Sequence, residues 1–178
     1  MSVALAPSAL ASELGRIVGT EHATATVPAE YLVDASVTRG VRGHADVLVR
    51  PGSPQEVADV VAWCYAHDVA IVPRGGGTGY AAGAVPEGGV VLALERLQTV
   101  RSIEPEWWRM VAETGVTTGR VRHGAREYGL YYPPNPGALE QSHIGGNVAT
   151  NAGGPHCFKH GVTMPSVPSE PTSRRTRS

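Results

Sequence analysis

A chain of 178 residues has room for one sizeable core, with 42% hydrophobic and 17% charged residues describing a soluble globular protein. The net charge of −1 supplies no electrostatic pull toward nucleic acid or an anionic membrane, so neither partner is expected. Gly 22 and Pro 14 are high for this length and cluster in a few loops, which suits a protein that cradles a ligand.

The N-terminus is apolar but carries no basic lead-in, and Pro7, Ser8 and Glu13 interrupt it, so a secretory signal is not expected. No apolar run is long enough to span a bilayer. Residues 8–18 predict a short helix, with Leu10, Leu14, Ile17 and Val18 on one packing face and Gly19 as its stop. Residues 47–49 predict a buried strand. Ser53-Pro54-Gln55-Glu56 is a capping box with proline at the first helical position, and Val57, Val60, Val61 and Cys64 follow at helical spacing, predicting a helix over 54–66. Short strands are predicted over 69–72 and 90–94, with a glycine-rich loop leaving the end of the first.

Further on, residues 100–104 and 108–113 flank Pro105 and predict an antiparallel hairpin. Thr117 or Thr118 caps a helix running to about Tyr128, with Gly129 at its stop. Pro133, Pro134 and Pro136 then fix a stiff extended segment. Cys64 falls on the apolar stripe of a helix and Cys157 in a glycine-bounded loop. No disulfide framework follows, and a reducing cytoplasm is the expected compartment.

Two segments carry the chemistry. In Pro73-Arg74-Gly75-Gly76-Gly77-Thr78-Gly79-Tyr80, successive glycines free the backbone to form a nest of N–H donors for an anion, with Gly76 expected at positive φ. Thr78 adds a hydroxyl and Arg74 a charge or an ion pair. In Ser142-His143-Ile144-Gly145-Gly146-Asn147-Val148-Ala149-Thr150-Asn151-Ala152-Gly153-Gly154 the backbone can lie flat against a ring system, while Ser142, Asn147, Thr150 and Asn151 can hydrogen-bond the polar edge of such a ring or a phosphate. Gly77, Gly79 and Ala82 also satisfy a degenerate dinucleotide fingerprint, with Glu95 placed like a ribose-binding acid. A Rossmann unit, however, needs a helix directly after its glycines, and Gly83, Pro86, Gly88 and Gly89 leave no room for one before Val90.

Residues 73–80 and 144–154, with Tyr132-Pro133-Pro134 between them, resemble the FAD-binding (PCMH-type) domain of the vanillyl-alcohol oxidase / p-cresol methylhydroxylase superfamily. Within it they are most similar to the FAD-linked oxidases of the glycolate oxidase and D-lactate dehydrogenase branch. The resemblance runs from about Ala35 to Thr163. It implies an α+β fold in which a small parallel α/β subdomain is joined to an antiparallel subdomain, here incomplete. Residues 1–34 then form an N-terminal helical segment, 35–163 the FAD-binding domain, and 164–178 a serine-, proline- and arginine-rich tail expected to be disordered.

The resemblance also implies a flavoprotein oxidoreductase in which flavin N5 accepts hydride from a small-molecule 2-hydroxy acid or related alcohol. It places residues 74–79 at the diphosphate. Pro73, Tyr80, Pro134, Ser142, Ile144, Gly145, Gly146, Asn147, Thr150, Asn151, Gly153 and Gly154 complete the expected cofactor contacts. Relatives that attach flavin covalently carry histidine where this chain has Thr78, so noncovalent FAD is implied. No catalytic base is identifiable, because the family's substrate domain lies beyond the region of resemblance. A frameshift or premature stop is the expected origin of the abrupt change at Thr163, and a non-catalytic flavin-binding remnant is the alternative function. His156, Cys157 and His160 are possible metal ligands, but Pro155 and Gly161 disfavour placing them on one helical face, and no metal is expected.

Overall fold

The computed structural model describes residues 5–167. Pro7 opens helix α1 (Pro7–Val18), where its missing N–H has no intrahelical acceptor to forgo, and Leu10, Leu14 and Val18 form the stripe that the helix buries. Gly19, at φ +92°, stops it. Strand β1 (Ala23–Thr24) is too short to leave a periodic trace in the sequence. All three residues of β2 (Val47–Val49) are buried, as a strand covered on both faces requires. Ser53 caps α2 (Pro54–Ala66) by accepting from the Glu56 N–H, and the Glu56 carboxylate reaches back to the Gly52 N–H at 2.8 Å.

Strand β3 (Ile71–Arg74) begins two residues later than the expected 69–72, because the Val69 N–H is still tied to the Cys64 carbonyl at the end of α2. It pairs with β4 (Val90–Ala93) in a four-stranded sheet of order β1-β2-β4-β3. β2, β4 and β3 run parallel, and β1 lies antiparallel on the edge. Alternation along the strands sends side chains to opposite faces. Val47, Val49, Val90 and Leu92 join α1 and α2 in the main core, while Leu48, Val91 and Ala93 pack under Val27, Tyr31 and Ala45.

Strands β5 (Val100–Glu104) and β6 (Arg109–Ala112) form a separate antiparallel hairpin, bulged between Val100 and Ser102. Its turn leaves Trp107 and Trp108 exposed. Thr117 caps α3 (Thr118–Glu127), and Gly129 follows at φ +71°. Residues 130–137 contain neither helix nor strand. The second glycine segment, for which the sequence predicts no secondary structure, opens with a short helix, α4 (Ile144–Ala149), and α5 (Cys157–His160) follows it. Tertiary ties make α4: the Ile144 N–H donates to the Val116 carbonyl and the Gly145 N–H to the Thr114 carbonyl. Met164–Ser166 forms a single 3-10 turn at the start of the expected tail, and residues 168–178 lie outside the described residues. Parallel sheet, hairpin and flanking helices make the α+β arrangement expected for the domain.

Candidate functional site

The parallel strands β3 and β4 end side by side, and the first glycine loop leaves the sheet there. No helix intervenes between Arg74 and Val90, so the connection is not a Rossmann crossover. Gly77 is the left-handed residue of the loop, at φ +64°, rather than Gly76 as expected. Gly76 is required for a different reason: a Cβ there would overlap the Gln141 carbonyl, and one at Gly75 would touch His143. The two glycine segments therefore meet, with Gln141 and His143 as the joint. Gln141 carried no sequence signal, since its part is played by a backbone carbonyl. Among the described residues, no main-chain N–H from Gly75 to Tyr80 donates to a protein acceptor. Thr78 is half-buried in this loop and Tyr80 is exposed, its carbonyl held by the Arg39 guanidinium. Gly79 faces open space, with no protein atom within 4 Å of where a Cβ would sit.

Arg74 closes the loop from below. Its guanidinium donates to the Val33 and Glu30 carbonyls, at 2.6 Å each, and lies 5.6 Å from the centre of the Tyr31 ring. It also fills the space that a Cβ on Gly77 would need. Burial pushes the Arg74 pKa down, but a guanidinium stays charged, so a fixed cation sits under the loop. The Tyr31 hydroxyl donates to the Glu95 carboxylate, 2.7 and 2.8 Å from its two oxygens. Burial and that bond push the Tyr31 pKa up to about 12. Glu95 thus anchors Tyr31 beneath Arg74. No short-range pattern announces Tyr31, because 64 residues separate it from its partner.

Ser142 and Asn147 are buried and bonded to Thr118 in a closed ring. The Ser142 hydroxyl donates to Asn147 Oδ1 at 2.6 Å, and Asn147 Nδ2 donates to Thr118 Oγ1 at 2.5 Å. Thr118 Oγ1 in turn donates to the Ser142 carbonyl at 3.1 Å. The ring fixes the start of α4 against α3. His143 is half-buried beside it; its Nδ1 is buried without a hydrogen-bond partner, and burial pulls its pKa below the ordinary histidine value. Thr150 Oγ1 donates to the Gly146 carbonyl, and Asn151, at φ +49°, accepts the Met164 N–H. Gly154 lies against the Asn135 carbonyl, beside the buried Pro134, while Gly153 packs near Cys157. The structure thus brings Gly75 and Gly76 against residues 141–143, whereas Gly154 packs on Asn135 and Pro136 of the proline segment and Gly153 on Cys157 and Val162.

A concavity of about 990 Å³ is walled in part by α4. Ile103, Met110, Val121, Ala125, Tyr132 and Val148 are among its walls, and no residue of the first glycine loop reaches it. Its lining is mostly apolar, with Arg109, Thr114, Tyr132 and Ser166 among its polar residues; the Tyr132 hydroxyl is buried without a hydrogen-bond partner, and Ile144 and Gly145, expected at the cofactor, also line it. A mostly apolar lining is the chemistry of an uncovered core face rather than of an anion site.

Residues 45–168 match the FAD binding domain family, well over half of the chain. The chain belongs to that family, the FAD-binding domains of FAD-linked oxidoreductases. Among curated proteins it is 38% identical over 119 residues to glycolate oxidase subunit GlcD of Escherichia coli (strain K12), covering 66% of this chain and 24% of that protein. It is 43% identical over 117 residues to D-2-hydroxyglutarate dehydrogenase of Xanthomonas citri pv. viticola, covering 65% and 25%. It is also 37% identical over 127 residues to D-lactate dehydrogenase of Anaerostipes hadrus, covering 71% and 26%. The chain therefore spans about a quarter of the length of these relatives. Among solved structures, alkyldihydroxyacetonephosphate synthase superposes with a TM-score of 0.78 at 20% identity, covering 93% of this chain and 36% of that one. At that identity the likeness describes the fold. No helix among the described residues is long and apolar enough to cross a membrane.

Proposed function

We propose that the chain holds FAD noncovalently across the joint of its two glycine segments, as the cofactor-binding part of an oxidoreductase acting on a 2-hydroxy acid. The observation that carries this reading is the run of main-chain N–H groups from Gly75 to Tyr80 without protein acceptors, with the Arg74 cation beneath it. Consecutive amides and a fixed positive charge fit a diphosphate, which needs several donors in a small concavity. The open face of Gly79 leaves that anion room to approach. When bound, FAD supplies an acceptor for hydride. The protein's own residues hold and orient it: Arg74 organises the loop, Gly76 permits the loop to meet Gln141, and the Thr118–Ser142–Asn147 ring fixes the second segment opposite.

The substrate class comes from the relatives, whose names give glycolate, D-2-hydroxyglutarate and D-lactate, all of them 2-hydroxy acids. Noncovalent attachment follows from Thr78, whose hydroxyl cannot form a histidyl–flavin bond. The two unpaired cysteines, Cys64 buried and Cys157 exposed, suit a reducing cytoplasm. Gly79→Val is chosen to separate binding from folding, because a Cβ at Gly79 meets no protein atom within 4 Å while the added bulk stands beside the amides of the loop. The variant should keep the wild-type melting temperature and lose at least about tenfold in FAD affinity, the worth of roughly one charge-assisted hydrogen bond. Acid precipitation of the FAD-loaded wild type should leave the flavin in the supernatant. Unchanged FAD affinity in Gly79→Val would remove the loop from the site, and flavin retained on the denatured chain would make the attachment covalent.

A further inference from the structure

His143 stands at the joint of the two glycine segments, and cofactor binding as described above gives it no part. Its Cβ and Nδ1 lie 3.4 and 3.6 Å from where a Cβ on Gly75 would sit. That Nδ1 is buried and has no hydrogen-bond partner. Gly75 is also the first of the residues whose main-chain N–H groups are free of protein acceptors, so an anion settling there arrives beside the imidazole. We infer that His143 takes up a proton when the diphosphate of FAD settles on these amides, which couples cofactor affinity to pH. The inference rests on the FAD reading given above.

The charge balance sets the sign. In the free protein, burial disfavours the imidazolium, and Arg74 at the end of β3 acts in the same direction; Glu95, from the loop after β4, opposes them. Burial and Arg74 therefore favour the neutral ring in the free protein. A diphosphate adds negative charge at short range in a partly desolvated site, where Coulomb attraction is far stronger than in water. The bound-state pKa of His143 then rises above its free-state value. By linkage, FAD affinity is greatest below the free-state pKa and falls as pH rises through the bound-state pKa, by at most about tenfold per pH unit for one proton.

FAD affinity measured by fluorescence titration between about pH 5.5 and about pH 8, the range in which histidine titrates, reads this directly. Wild-type affinity should fall as pH rises across that interval, by up to about tenfold for a shift of about one pKa unit. His143→Asn, which keeps an amide near the Nδ1 position without a titrating group, should show no such slope. On the wild-type chain, saturation with ADP or inorganic pyrophosphate should raise the pKa of the NMR resonance assigned to His143, whereas riboflavin should leave it in place. FAD binding that is flat with pH, or an unmoved His143 resonance in the FAD-bound chain, overturns the inference and leaves the FAD reading standing. A riboflavin-induced shift equal to that with ADP overturns it too, by moving the contact to the ring system. Absence of FAD binding at every pH overturns both.

Discussion

Gly76 and Gly79 are three residues apart in one loop and carry opposite constraints. Gly76 is pressed against the Gln141 carbonyl, so any side chain there parts the two glycine segments, whereas Gly79 opens onto empty space that a ligand can use. The identical residue type gave no sign of which was which. A similar division runs through the second segment, where Ser142 and Asn147 form a sealed ring with Thr118, and Nδ1 of His143 has no partner. Asn147→Ala removes a donor and an acceptor from that ring and leaves two buried hydroxyls underbonded. It should destabilise the protein by about 2 kcal/mol, since an unsatisfied buried polar group costs about 1–3 kcal/mol. Urea unfolding measures it, and a loss below about 0.5 kcal/mol, the scatter of ordinary surface substitutions, would mean that the ring does not hold the segment. Residue types in the sequence located the polar side chains. Their pairing was not legible, because Thr118 and Asn147 are 29 residues apart and meet only through the packing of α3 and α4.

Elements with local signals were readable to their ends. Helix α2 matches its predicted span because Ser53, Pro54 and Glu56 mark its start and the apolar stripe ending at Cys64 marks its buried face. Ser53→Ala should cost about 1 kcal/mol of stability, the usual worth of an N-cap, without changing FAD affinity, because the Ser53 hydroxyl bonds to the first turn of its own helix. A loss of FAD affinity larger than the stability change explains would place α2 in the site. Elements defined by partners were not readable. β1 exists through pairing with β2, β3 starts late because the end of α2 holds Val69, and α4 forms on two glycines of poor helix propensity because Val116 and Thr114 supply acceptors for its first N–H groups.

At the scale of the molecule, the parallel sheet has a closed core between its helices and the 27–45 segment, while the hairpin and α3 leave an apolar concavity open among the described residues. The overall arrangement was legible from the alternation of strand, helix and glycine loop, together with the resemblance carried by residues 73–80 and 144–154. Contact between those two segments was not, since only the folded chain brings Gln141 onto Gly76. The central claim is that the free amides of residues 75–80 bind the diphosphate of FAD. Parallel fluorescence titrations of the chain with FAD and with riboflavin, which lacks phosphate, test it most directly. FAD should bind at least about tenfold more tightly, given that hydrogen bonds to a charged group each contribute about 1.5–3 kcal/mol. Equal affinity for the two ligands would contradict it.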